Sequence, residues 1–158
     1  MSFELRALIG PRAALEPLAA KLPGARLADL NDALALLPLS AAVESLFSPA
    51  DRAPTLDGLR LGAKIAALAK ESSRLANVAY VEADYSPGRD FQAAVLWTAG
   101  KMAAPRADRA AWDPREPAMV ERPVNAALRA LGVDRGDYDD EWDAVALARH
   151  PDTDSWGK

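Results

Sequence analysis

Residues 78–97, VAYVEADYSPGRDFQAAVLW, leave little freedom in what the chain can do locally. Ala79, Val81, Ala83 and Tyr85 form one alternating row, and Phe91, Ala93, Val95 and Trp97 form another. A period of two puts alternate side chains on one face of a strand. Between the rows, Ser86-Pro87-Gly88-Arg89 suits a type II turn, with proline fixing φ and glycine supplying a positive φ. The segment is expected to be a β-hairpin. A hairpin is barely stable alone, so further strands and helices must cover its apolar side.

The remaining sequence supplies candidates. FELRALI (3–9) alternates, with Phe3, Leu5, Ala7 and Ile9 opposite Glu4 and Arg6, as in a half-buried strand. Pro11 can open a helix carrying Leu15, Leu18 and Leu22, with a kink or break expected at Pro17. ALALLPL (33–39) reads as a short buried strand whose Pro38 marks a sheet margin, and Ala41 to Phe47 as a short helix. Thr55 is the expected N-cap of the clearest helix, with Leu61, Ile65 and Leu68 as its apolar stripe. Lys101 to Arg122 loses periodicity and reads as a long loop. RPVNAALRALG (122–132) restores a helix, opened by Pro123 and stopped at Gly132. A final short strand is expected at Ala144 to Ala148. Together these give an α+β fold in one domain spanning 1–158. It would hold a mixed or antiparallel sheet of four to five strands, including the 78–97 hairpin, with three to four helices packed on it.

Several function classes are excluded or disfavoured. The chain has no cysteine, which removes disulfides, thiol nucleophiles and thiolate metal sites. Glu4 and Arg6 interrupt the stretch a signal peptide would need, and the longest apolar run, 33–39, is far short of a membrane span. A cytoplasmic protein without membrane contact is the expectation. Between 101 and 122, five bases meet four acids, so the arginines around Trp112 offer almost no net field to a nucleic acid. No phosphate-binding glycine loop or G-x-S-x-G elbow occurs, and no cofactor is expected.

The charge is concentrated in one place. Of a net −4, the segment 134–143 carries −5, and the rest of the chain sums to +1. Counted from Asp137, an EF-hand loop fails at its sixth position, Trp142, and its twelfth, Ala148, so no metal site is expected. A tryptophan among carboxylates instead suits docking onto a basic, partly apolar protein. The expected contact residues are Asp137, Asp139, Asp140, Glu141, Trp142 and Asp143. Two alternatives stand beside this one. One is a small enzyme or small-ligand binder using His150, the sole histidine, with Asp152 and the 101–122 loop as a lid. The other is a homo-oligomer packed through Trp142 and Trp156.

VAYVEADYSPGRDFQAAVLW, RPVNAALRALGV and DDEWDAVALARHPDTDSW together resemble a family of small cytosolic proteins of GC-rich bacteria, over the C-terminal half. Members of that group have a more glycine-rich turn at 86–89 and GLGRH where this chain has Ala-Leu-Ala-Arg-His at 146–150. The family carries no established activity, so no catalytic residue follows from it. In general character, small, acidic and without catalytic motifs, the chain is similar to immunity proteins that neutralise secreted bacterial toxins. That likeness implies an inhibitor whose acidic, tryptophan-bearing surface covers a basic cleft.

Overall fold

The structure is a computed structural model that describes residues 2–51, 59–108 and 122–157. Its frame is an antiparallel sheet of six strands in the order β2-β3-β1-β4-β5-β6. The strands are β1 (Phe3–Gly10), β2 (Ala28–Asp29), β3 (Ala35–Pro38), β4 (Val78–Ser86), β5 (Arg89–Thr98) and β6 (Lys101–Asp108). The helices are α1 (Arg12–Ala19), α2 (Ala41–Glu44), α3 (Ala63–Ser72), α4 (Pro123–Ala130) and α5 (Glu141–Ala144). The α+β class stands, with six strands and five helices among the described residues where fewer of each were expected.

The β4–β5 hairpin forms in the expected register. Ser86 faces Arg89 across the Pro87-Gly88 turn, and Gly88 has φ +79°. Its two apolar rows lie on opposite sides of the sheet. Leu8, Tyr80, Val95 and Trp97 pack under Leu15, Leu18 and Ile65 of α1 and α3. Leu5, Ile9, Val81 and Ala94 pack under Val124 and Leu128 of α4, with Val145 and Leu147 beside them. Helices on both faces explain why β1 is not half-exposed. From Leu5 to Gly10 every residue is buried, and even Arg6 is only 8% exposed.

Five other expectations change. Helix α1 runs through Pro17 without a break, closing only at Ala20. A proline this near the end of a short helix forfeits one donor late, where few bonds remain to lose. The helix expected from Thr55 begins at Ala63, with Asp51 Oδ2 accepting from the Lys64 amide (3.2 Å); Thr55 lies outside the described residues. Pro38 closes β3, which is not an edge strand. The two-residue β2 covers only Ala35 and Leu36, so no neighbour on that side asks Pro38 for an N–H.

The segment taken as a loop from Lys101 is strand β6 as far as Asp108; residues 109–121, including Trp112, lie outside the described residues. Pro105 is tolerated because β6 is an edge strand paired only to β5. The connecting turn holds Ala99 at φ 51° and Gly100 at φ 78°, as a two-residue type I′ turn requires. It is docked on the end of α3, where the Ala99 amide donates to the Ser73 carbonyl (3.1 Å) and the Gly100 amide to Ser73 Oγ (2.9 Å). Alanine is strained there and exposed. Ala99→Asn should therefore raise stability by about 0.5–1 kcal/mol, read as a shifted urea midpoint at constant m-value.

The final strand expected at 144–148 is absent. Asp140 Oδ1 accepts from the Asp143 amide (2.8 Å), starting α5, and the chain then turns through Ala146 at φ 49° into a 3-10 turn, Leu147–Arg149. Val145 and Leu147 are buried as a strand would bury them, but by a sharp turn. Beyond it the chain crosses back to β1. The Glu4 amide donates to the Pro151 carbonyl (3.1 Å), the Arg6 amide to Thr153 Oγ1 (3.0 Å), and the Ala41 amide to Asp154 Oδ1 (2.9 Å).

Candidate functional site

On the α4 side of the sheet, one end is left open. Phe3 and Tyr85 face each other across β1 and β4, and being odd-numbered they project towards α4 and α5 with Leu5 and Val81. Trp142, on the first turn of α5, completes the group. Its ring centroid lies 5.4 Å from Phe3 and 5.9 Å from Tyr85, and the Phe3–Tyr85 separation is 6.1 Å. These spacings are contact distances for tilted and edge-on rings, so the rings hold one another in place. They form the floor of a cleft of about 630 Å³.

The walls are polar, and the side-chain amides in them are satisfied within the protein, whereas the buried Arg122 Nε has no hydrogen-bond acceptor among the described residues. Gln92 donates through Nε2 to the Tyr85 hydroxyl and accepts at Oε1 from the Val124 amide (3.2 Å). Asn125 accepts at Oδ1 from the Trp142 amide (2.9 Å) and donates through Nδ2 to Asp140 (3.2 Å). Arg122, the N-cap residue of α4, donates to Asp90 at 2.7 Å. The two amides act as braces that tie α4 to the sheet and α5 to α4. A ligand entering the cleft therefore meets mainly ring and Pro151 surface, with Asp140 at the margin.

The acidic segment divides into structural and exposed members. Glu141 is buried, and its Oε1 accepts from Arg129 Nε (3.0 Å) and Nη2 (2.9 Å), pinning α5 to α4. Asp140 is the α5 cap and the partner of Asn125. Asp137, Asp139 and Asp143 are exposed, and among the described residues no hydrogen bond or ion pair reaches their carboxylates. Tyr138 between them is 60% exposed. Arg135, the base within the run, donates to the Asp139 carbonyl (3.1 Å).

His150 and Asp152 are used locally. The His150 ring meets Trp156 edge-on at 4.8 Å, and Arg149 covers the same indole at 5.0 Å. Asp152 Oδ1 accepts from both the amide and hydroxyl of Ser155 (2.8 and 2.7 Å), capping the last 3-10 turn. Among the described residues no cluster of three histidines or carboxylates is placed to hold a metal, and no helix is long and apolar enough to cross a membrane.

The chain has no match among protein-family models, curated proteins or solved structures. Its own geometry carries the functional assignment.

Sequence reasoning found Trp142 and Asp140 but not Phe3, Tyr85, Gln92 or Asn125 as members of the same site. The signal available was the row Ala79–Val81–Ala83–Tyr85, which ends in an aromatic too large and polar-tipped for a sheet margin without a partner.

A second polar group lies on the α1 side. Glu82, 4% exposed, faces Arg6 across the strands and accepts at Oε1 from the Tyr80 hydroxyl (2.6 Å) and the Arg60 amide (2.9 Å). Arg6 in turn donates to Glu44 at 2.7 Å. Its buried Nε has no hydrogen-bond acceptor, only an ion-pair contact with Glu4 at 3.7 Å. Here the carboxylate fastens the chain at Arg60 onto the sheet. Every contact recorded for Glu82 serves the fold.

Proposed function

We propose that the protein is a protein-binding module, immunity-like in character, that lays its acidic, tryptophan-bearing surface on a basic partner. One observation carries this: on and beside the acidic segment the cations are engaged, while three of its carboxylates are exposed and have no partner among the described residues. Arg122 is held by Asp90, Arg129 by Glu141 and Arg135 by a backbone carbonyl, while Asp137, Asp139 and Asp143 stand exposed without partners among the described residues. Exposed carboxylates make the potential here negative, which attracts a basic surface and speeds its encounter. The apolar cleft beside the acids supplies contact area that exposed charge pairs lack.

The test is selection from a random 12-residue peptide library at low salt, with the wild type and an Asp137→Asn/Asp139→Asn/Asp143→Asn variant as baits. Lysine- and arginine-rich sequences should be enriched on the wild type. The triple variant should bind them roughly 10- to 100-fold more weakly, since each exposed pair contributes a fraction of a kcal/mol to about 1 kcal/mol. Enrichment of neutral or acidic sequences, or equal binding by the variant, would remove the acidic face from consideration.

A further inference from the structure

We infer that the cleft over Phe3, Tyr85 and Trp142 is an anchor pocket for one apolar or aromatic side chain of a basic segment in the partner. The inference rests on the docking reading above and specifies what the partner must carry: a Phe- or Leu-sized residue flanked closely by Lys or Arg.

Three features of the cleft lead there. The first is its chemistry. Both side-chain amides in its walls are committed on both ends, Gln92 to Tyr85 and Val124, Asn125 to Trp142 and Asp140. A ligand polar at these amides would have to compete with bonds already made, whereas an apolar one only displaces water from ring surface. The second is rigidity. Rings 5.4–6.1 Å apart brace each other, and α5 is pinned by Glu141 to Arg129, so little freedom remains to be lost when the pocket fills. Rings this close leave no gap between them, so the anchor side chain lies over the rings, and its flanking bases meet the carboxylates at the rim. The third is charge. Asp140 lines the cleft, and Asp139 and Asp143 flank it in sequence, so a segment seated on the rings brings its neighbouring residues onto carboxylates. At about 630 Å³ the space exceeds one side chain and admits the backbone that carries it.

The probe is acetyl-KRFKR-amide, compared with the same peptide with alanine for phenylalanine and with glutamine for all four bases. Binding is followed by the indole N–H resonance of Trp142, assigned with Trp142→Phe, together with the amides of 134–143. The expected result is a saturable shift of the Trp142 indole by the Phe peptide at concentrations up to about 5 mM. At least tenfold weaker binding is expected from both control peptides. Ala148→Phe places a ring into the cleft from an exposed wall position and leaves its floor intact, so it should abolish the indole shift in a folded protein.

If the Phe and Ala peptides bind equally and move only the amides of 134–143, the anchor pocket is wrong and the acidic docking face survives. If the glutamine peptide binds as well as the basic one, the anchor's basic context and the docking reading both fail. If none of the three shifts the indole, the pocket assignment is overturned. Concentration-dependent dimerisation that Ala148→Phe abolishes would give the cleft to a second copy of the chain and overturn the assignment as well.

Discussion

Replacing Glu82 by alanine is expected to lower the unfolding free energy by about 3–5 kcal/mol. The carboxylate is 4% exposed and serves two donors with one oxygen, the Tyr80 hydroxyl at 2.6 Å and the Arg60 amide at 2.9 Å. It also stands directly opposite Arg6, whose guanidinium is itself buried. Alanine leaves the fully buried hydroxyl without that acceptor and removes the facing negative charge. Glu82→Gln keeps an acceptor oxygen in place and loses only the charge, so it should cost roughly half as much. Urea titration followed by circular dichroism measures both. A loss below about 1 kcal/mol for alanine would mean that water takes over the carboxylate's place.

The second large effect is alkaline. Burial pushes the Tyr80 hydroxyl well above the usual tyrosine value of 10.0, and the neighbouring Glu82 charge and its hydrogen bond push the same way. Below about pH 10 both folded and unfolded chains hold this proton, and the contribution is fully present. Above it the unfolded chain releases the proton while the folded one retains it, so stability falls by about 1.4 kcal/mol per pH unit until the folded hydroxyl also titrates. Tyr80→Phe loses one hydrogen bond to a charged acceptor, about 2 kcal/mol at pH 7, but is spared this alkaline loss. The gap between wild type and variant should therefore narrow from pH 10 and close near pH 11 to 12, in denaturation curves taken at each pH. Parallel curves would show that Tyr80 does not govern the alkaline limb.

What could be read from the sequence was what local chemistry decides. The β4–β5 hairpin announced itself because Pro87-Gly88 and the alternation on each side agree, and α4 because Pro123 and Gly132 bracket one apolar stripe. The β5–β6 hairpin was hidden because Ala99 occupies a left-handed position that alanine does not signal, and because Pro105 reads as a breaker when it sits harmlessly on an edge. At 144–148 a period-two burial pattern was mistaken for a strand. The competing signal, Asp140 as a helix cap, was in plain view but had been counted only as charge. Asp140 and Glu141 were read as solvent-facing acids, while the fold uses one as a brace and buries the other under Arg129. Phe3, Tyr85 and Trp142 meet only through tertiary pairing, which no local pattern encodes. Glu4 and Arg6 look like an outward face in sequence, and Arg6 is buried, because a sheet covered on both sides cannot be inferred from one strand.

The place of β1 in the sheet has a consequence for synthesis. It lies between β3 and β4, and its partner residues on β4 begin at Ala79, nearly seventy positions after β1 ends. At about 5–20 residues per second, a ribosome needs several seconds to deliver them. During that interval Leu5, Leu8 and Ile9 have at most β3 beside them, and the Thr153 hydroxyl that caps the Arg6 amide has yet to be made. The nascent chain thus carries an unfinished sheet edge through about the first half of its translation. Its yield in a cell should depend as much on holding that edge apart from other chains as on the stability of the finished fold.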